Sequence, residues 1–161
     1  MINKIICKLI FFIKIFEYKV RFKKSLEIGS KFSFRKRFNL NINSGGKLVV
    51  GEKVFFNNDC SINCKNKISI GNNCIFGENV KIYDHNHKFS DYTKLILEQG
   101  YKLGEIYIGD NCWIGSNVVI LPGAIVKSNS IIGAGCIVSG EIPEGVIVTP
   151  NRELNIIRRN K

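Results

Sequence analysis

From Val50 onward a large apolar residue returns at every sixth position: Val50, Phe56 and Ile62; Ile70, Phe76 and Ile82; Ile108, Ile114 and Ile120; Val126, Ile132 and Val138. Four positions after each stands, in most hexads, a small residue: Val54, Cys60, Cys74, Val80, Cys112, Val118, Ala124, Ser130 and Cys136, with Asn66 and Asn86 as exceptions. Self-similarity at a short fixed period belongs to stacked architectures, and a six-residue unit marks a β-helix. Three hexads make one triangular coil. The large residue fills the core, the small one fits where the chain turns inward at a corner, and coils stack at about 4.8 Å. The preceding text, "IGSKFSFRKRFNLNINSGGKLV", reads as one or two imperfect coils. The fold class expected is therefore all-β, a parallel β-helix.

The repeat also accounts for cysteine. Six cysteines in 161 residues would suit a disulfide framework or a zinc site, but no CxxC occurs and only two histidines are available. Cys60, Cys74, Cys112 and Cys136 occupy the small inward position, where a thiol serves as a compact apolar group. Cys74 and Cys112 fall on one column of adjacent coils. Lys8 and Lys14 interrupt any apolar core a secretory signal would need, so the expectation is a cytoplasmic chain with reduced thiols and no metal.

Residues 1–27 form a separate arm, ahead of a β-helix over 28–149 and a basic tail over 150–161. In "MINKIICKLIFFIKIFEYKVRFKK", Ile2, Ile5, Ile6, Leu9, Phe12, Ile13, Phe16 and Val20 follow a helical period among seven basic residues and one acid, Glu17. The longest uncharged run, Leu9 to Ile13, is far too short to span a bilayer. Such a helix suits either of two roles: capping the exposed end of a solenoid, or lying on an anionic membrane surface. The net charge of +11 asks for an acidic partner, or is only a solvated basic surface.

The hexads break once. Between Ile82 and Ile108 they give way to "HKFSDYTKLILEQGYKLGEI", expected as a protruding loop over 88–107. Both histidines, His85 and His87, stand where the chain departs. Loops on rigid scaffolds commonly carry function, so the pair is a candidate site.

With "IGDNCWIGSNVVILPGAIV", "IIGAGCIVSGEIP" and a histidine just before the loop, the chain resembles the hexapeptide-repeat acyltransferases, the left-handed β-helix family. Within it, the chain is most similar to the sugar O-acetyltransferases acting on galactosides, maltose, or capsular and other surface polysaccharides. The resemblance covers roughly residues 50–143. It implies left-handed crossovers, against the usual right-handed preference, and homotrimers with each active site between neighbouring subunits. It also implies acetyl-CoA as cosubstrate and no nucleic-acid partner.

Carried across residue by residue, the family's catalytic histidine falls on His87. Ser116 and Ala134 fall where that family binds acetyl-CoA, flanked by Gly115 and Trp113 of the same motif, and Asn57 matches an asparagine that touches the acceptor sugar. The end of the chain departs from the pattern: "VTPNRELNIIRRNK" offers Arg152, Arg158 and Arg159 for the CoA phosphates, with Arg152 the nominal candidate.

The chemistry asks for a general base, because a sugar hydroxyl attacks a thioester only as its proton leaves, and imidazole titrates near neutrality. Asp84 or a backbone carbonyl would orient the His87 ring, and His85 would either position the acceptor or merely sit at the turn. Three rivals stand beside this reading. A γ-type carbonic anhydrase needs a third histidine, and a serine acetyltransferase needs a helical N-terminal domain. The third is a non-catalytic β-helical scaffold. N-acetylation of an amino sugar is the alternative reaction.

Overall fold

The computed structural model describes residues 2–150, with side chains from residue 9 onward. Helix α1 (Ile2–Phe22) leads through a 3-10 turn, Lys23–Ser25, into a stack of short strands. The first coil is β1 (Leu26–Ile28), β2 (Ser33–Phe34) and β3 (Asn39–Ile42). The second is β4 (Lys47–Val50), β5 (Phe55–Phe56) and β6 (Ser61–Cys64), and the third β7 (Lys67–Ile70), β8 (Ile75–Phe76) and β9 (Lys81–Tyr83). A hairpin, β10 (His85–His87) with β11 (Tyr101–Leu103), then leaves the stack. The fourth coil is β12 (Ile106–Ile108), β13 (Trp113–Ile114) and β14 (Val119–Ile120), and the fifth β15 (Ile125–Val126), β16 (Ile131–Ile132) and β17 (Ile137–Val138). A partial sixth holds β18 (Glu141–Ile142) and β19 (Ile147–Val148).

Each coil gives one strand to each of three parallel sheets. The first face runs β1-β4-β7-β12-β15-β18, the second β2-β5-β8-β13-β16-β19 and the third β3-β6-β9-β14-β17. The register pairs the hexad residues column by column: Val50, Ile70, Ile108 and Val126 on the first face, Phe56, Phe76, Ile114 and Ile132 on the second. Ile62, Ile82, Ile120 and Val138 form the third column. All are buried. Phe56 and Phe76 stack at 4.1 Å between ring centroids, and Phe38 meets Phe56 at 5.1 Å on the side of the first coil.

The corners explain the small residues. A Cβ on Gly77 would lie 2.6 Å from the Ser116 amide nitrogen, and one on Gly115 2.6 Å from that of Ala134, so successive corners meet backbone to backbone. Beside them the Cys60 and Cys74 thiols each donate to a carbonyl of the next coil, at 3.1 Å to Gly77 and Gly109. Ser130 does the same with its hydroxyl, 2.8 Å from the Pro143 carbonyl. Cys60, Cys64, Cys74, Cys112 and Cys136 are all unpaired, while Cys7 lies outside the described side chains. Burial, helped by the nearby Asp84 carboxylate, pushes the Cys64 thiol up to about 12.

The first coil breaks the size rule. Phe32 and Phe38 stand where later coils place Val54, Cys60, Cys74 or Val80. No coil lies beyond them, so large rings fill the open end and form a platform with Phe34. Helix α1 rests on this platform. Tyr18 and Phe22 are buried, the Tyr18 hydroxyl donates to the Phe38 carbonyl at 3.1 Å, and Phe11 meets Phe34 at 5.0 Å. The stripe that docks is thus Phe11, Ile15, Tyr18 and Phe22, while Leu9, Phe12, Ile13, Phe16 and Val20, the stripe picked out by periodicity, face outward.

Candidate active site

The site is built where the third face should turn onto the first. At the end of β9 the chain places Asp84, fully buried, and its carboxylate gathers the neighbouring segments. It accepts from the Lys65 amide at 2.8 and 3.0 Å and the Asn66 amide at 2.7 Å, both in the corner of the coil before. It also accepts from His85 Nδ1 at 2.9 Å. Its carbonyl takes the Gly104 amide at 2.8 Å, where the excursion returns. One acid therefore ties a corner, the outgoing strand and the incoming strand together.

The bond to Asp84 puts the His85 proton on Nδ1 and leaves Nε2 as the free acceptor. Of the two candidates for orienting the His87 ring, Asp84 or a backbone carbonyl, Asp84 bonds to His85 instead, because the adjacent residue reaches the buried carboxylate while the hairpin carries His87 outward. His87 is exposed and makes no side-chain hydrogen bond among the described residues. Both imidazoles point to one face of the hairpin, as strand alternation requires of residues two apart. Between them stands Tyr101, paired with His87 across the hairpin, its ring centroid 4.6 Å from that of His87 and 5.3 Å from that of His85. Lys65 Nζ lies 4.1 Å over the same ring. Sequence reasoning missed Tyr101 and Lys65, since neither carries a positional signal.

Asp84 supports a stability prediction. Asp84→Ala leaves two backbone donors without their acceptor, at a cost of about 1–3 kcal/mol each, while Asp84→Asn keeps one acceptor oxygen and loses less. Urea denaturation of the two variants measures the difference.

The residues expected at the cofactor lie at a different corner, where the second face turns onto the third. Asn57, Gly77, Gly115 and Gly133 follow one another there, their amides donating to the Phe76, Ile114, Ile132 and Val148 carbonyls of the next coil at 2.7–3.0 Å. Ser116 Oγ accepts from the Glu78 amide at 3.1 Å, the Ser116 carbonyl accepts from Gly135 at 2.9 Å, and Ala134 is exposed. Asn57 Oδ1 accepts from Arg35 at 3.3 Å and from the Asn58 amide at 2.9 Å. Trp113 points outward from the second face, 54% exposed, in an apolar column with Phe55, Ile75, Ile131 and Ile147. Arg152, Arg158 and Arg159 lie outside the described residues.

Within one chain, then, Asp84, His85 and His87 come together, and Asn57, Gly115, Ser116 and Ala134 come together, but the two groups are separated by the third face. That face carries a polar groove of about 470 Å³ lined by Asn39, Asp59, Ser61, Asn63, Lys81 and Tyr83. Its Tyr83 end adjoins Asp84. Among the described residues, no group of three or more acidic, histidine or cysteine side chains could hold a metal ion.

Residues 105–140 match the family model "Bacterial transferase hexapeptide (six repeats)". The chain is 36% identical over 107 residues to a galactoside O-acetyltransferase of Lactococcus lactis, covering 65% of this chain and 50% of the relative. It spans about half the length of the curated relatives it matches. Among solved structures, a maltose O-acetyltransferase from Clostridium difficile 630 is 33% identical with a TM-score of 0.67, over 83% of this chain and 70% of that one. A galactoside acetyltransferase in complex with coenzyme A is 28% identical with a TM-score of 0.53, over 75% of this chain and 58% of that one. The hexads, the three-faced stack, the hairpin at its break and these likenesses together place the chain in the hexapeptide-repeat acyltransferase family, with that family's left-handed parallel β-helix.

Proposed function

We propose that this protein transfers the acetyl group of acetyl-CoA to a hydroxyl of a sugar or surface-polysaccharide precursor. The observation that carries the reading is the imidazole pair on a hairpin anchored by buried Asp84, beside a groove lined with amides, hydroxyls and the charges of Arg37, Asp59 and Lys81. Such a lining suits a polyhydroxylated acceptor, whose hydroxyls need paired donors and acceptors. The relatives named for galactoside and maltose acetylation support the same class of acceptor.

In this reaction His87 takes the acceptor's proton as its oxygen attacks the thioester carbonyl. The tetrahedral intermediate collapses, the C–S bond breaks, and the CoA thiolate recovers the proton from the imidazolium. His87 is assigned this role because its exposed ring is open to an acceptor. His85, held by Asp84, presents Nε2 to a second acceptor hydroxyl. The 2.9 Å bond between Asp84 and His85 favours one alternative, in which His85 is the base and Asp84 its orienting acid.

Ser116 and Ala134, with Gly115 behind them, are assigned to the cosubstrate, with Trp113 beside them and Arg152 near its phosphates. Because that corner and the histidines lie on different edges of one prism, the functional unit is a homotrimer. In it the hairpin of one subunit faces the corner of the next. Association would also cover the apolar column of Ile75, Trp113 and Ile147. The reaction belongs in the cytoplasm, where acetyl-CoA is made.

Calorimetric titration with CoA, alongside light scattering, tests the assembly and the corner. A particle of three chain masses that binds CoA, with binding lost in Ala134→Tyr and the mass unchanged, is expected. A monomer that turns over, or a trimer that takes up no CoA, would overturn the reading, the latter in favour of a scaffold.

A further inference from the structure

Helix α1 carries two apolar stripes of identical spacing. Phe11, Ile15, Tyr18 and Phe22 dock on the first coil, while Leu9, Ile13, Phe16 and Val20, joined by Phe12, do not. The stripes are offset by two residues, which at about 100° per residue puts them on opposite sides of the helix. The outer stripe is 55–70% exposed at every member, and faces away from the stack at the end farthest from the partial sixth coil. A helix needed only as a cap would have no reason to be apolar on its far side.

The helix is cationic. Lys19 borders the outer stripe on one side; on the other, exposed Ile10 and Glu17 come first, and Lys14 and Arg21 stand behind them over the docked rings of Tyr18 and Phe22 at 5.8 and 5.2 Å, with exposed Lys23 and Lys24 following at the turn. Beside Lys14, a groove of about 380 Å³ brings Arg35 and Lys36 of the first coil to the same edge. The helix holds one acid, Glu17, and Lys14 already pairs with it at 3.1 Å. Among the described residues, no helix is long and apolar enough to cross a membrane.

We propose that this end of the protein docks on an anionic lipid bilayer, with α1 lying in the interfacial plane, its outer stripe among the acyl chains and its cations at the headgroups. An exposed apolar stripe on a helix with five cations and one acid, beside Arg35 and Lys36 of the first coil, is complementary to that surface. In a cyclic trimer with parallel stack axes, three such helices share one end of the particle, so their weak individual affinities combine. The acceptor this location favours is lipid-linked. Docking itself does not depend on acyl transfer, and its test reads binding alone.

The full chain is co-sedimented with vesicles of equal parts phosphatidylglycerol and phosphatidylcholine, and with phosphatidylcholine alone. Binding to the anionic vesicles, released by salt and weak on the neutral ones, is expected. The double variant Phe12→Ser, Phe16→Ser should lower the bound fraction by about tenfold or more, because both rings lose their apolar medium. Its melting temperature should not fall, since both rings are already exposed. Failure of the unaltered chain to bind anionic vesicles, or binding undiminished in the double variant, would overturn the proposal. So would a fall in particle mass in the double variant, which would assign the stripe to another copy of the chain.

Discussion

His87→Ala is expected to lower acetyl transfer by about 10²–10⁴, the usual worth of a general base, while leaving fold and CoA affinity in place. The ring is exposed and fills no core position, so its loss removes a proton acceptor and little else. His85→Ala should cost less turnover but some stability, because it strips one hydrogen bond from buried Asp84. Steady-state rates for the two variants against one soluble acceptor measure the split. The reverse order, with His85→Ala inactive and His87→Ala near normal, would transfer the role of base to the Asp84–His85 pair. Activity retained by both would remove the hairpin from the chemistry.

Phe76→Ala is expected to destabilise the protein by about 3–5 kcal/mol, the range for deleting a fully buried aromatic ring. Its neighbours cannot close the gap. Phe56 is stacked on one side at 4.1 Å, Ile114 pairs with Phe76 on the other, and the backbone corners beside them are already in contact. In a solenoid each coil touches only its neighbours, so the damage should centre on coils two to four and loosen the hairpin they carry. Chemical denaturation gives the magnitude, and hydrogen exchange along the chain gives the spread. By contrast Ile75→Ala, one residue away but facing outward at 52% exposure, should cost far less.

These two positions also mark how far the sequence could be read. The alternation of Ile75 out and Phe76 in follows from the hexad, because the interior of a β-helix is a one-dimensional repeat and every coil solves the same packing problem. The break between Ile82 and Ile108 was legible as an interruption, and with it the location of both histidines, although the stack resumes at Ile106, inside the loop expected over 88–107. What stands inside the break was not. The Tyr101 ring reaches the histidines across an excursion with no period, and Asp84 meets Lys65 and Asn66 only because one coil lies over the other. Helix α1 fails differently. Its two stripes share one spacing, so periodicity could not say which docks; the Phe32, Phe34 and Phe38 platform and the Tyr18 hydroxyl decide it. Arg152 stays a proposal resting on charge and chain position.

The central claim is acetyl transfer to a sugar hydroxyl, and mass spectrometry of reactions containing the protein, acetyl-CoA and a panel of acceptors tests it most directly. The panel should hold galactosides, maltose, amino sugars and nucleotide-linked or lipid-linked sugars. The account predicts a product one acetyl group heavier than its acceptor, joined as a base-labile ester, formed by the unaltered protein and strongly reduced with His87→Ala. An acetyl amide on an amino sugar with no ester on any acceptor would contradict O-transfer, and no acetylated product from a folded, CoA-binding trimer would contradict the acetyltransferase account itself.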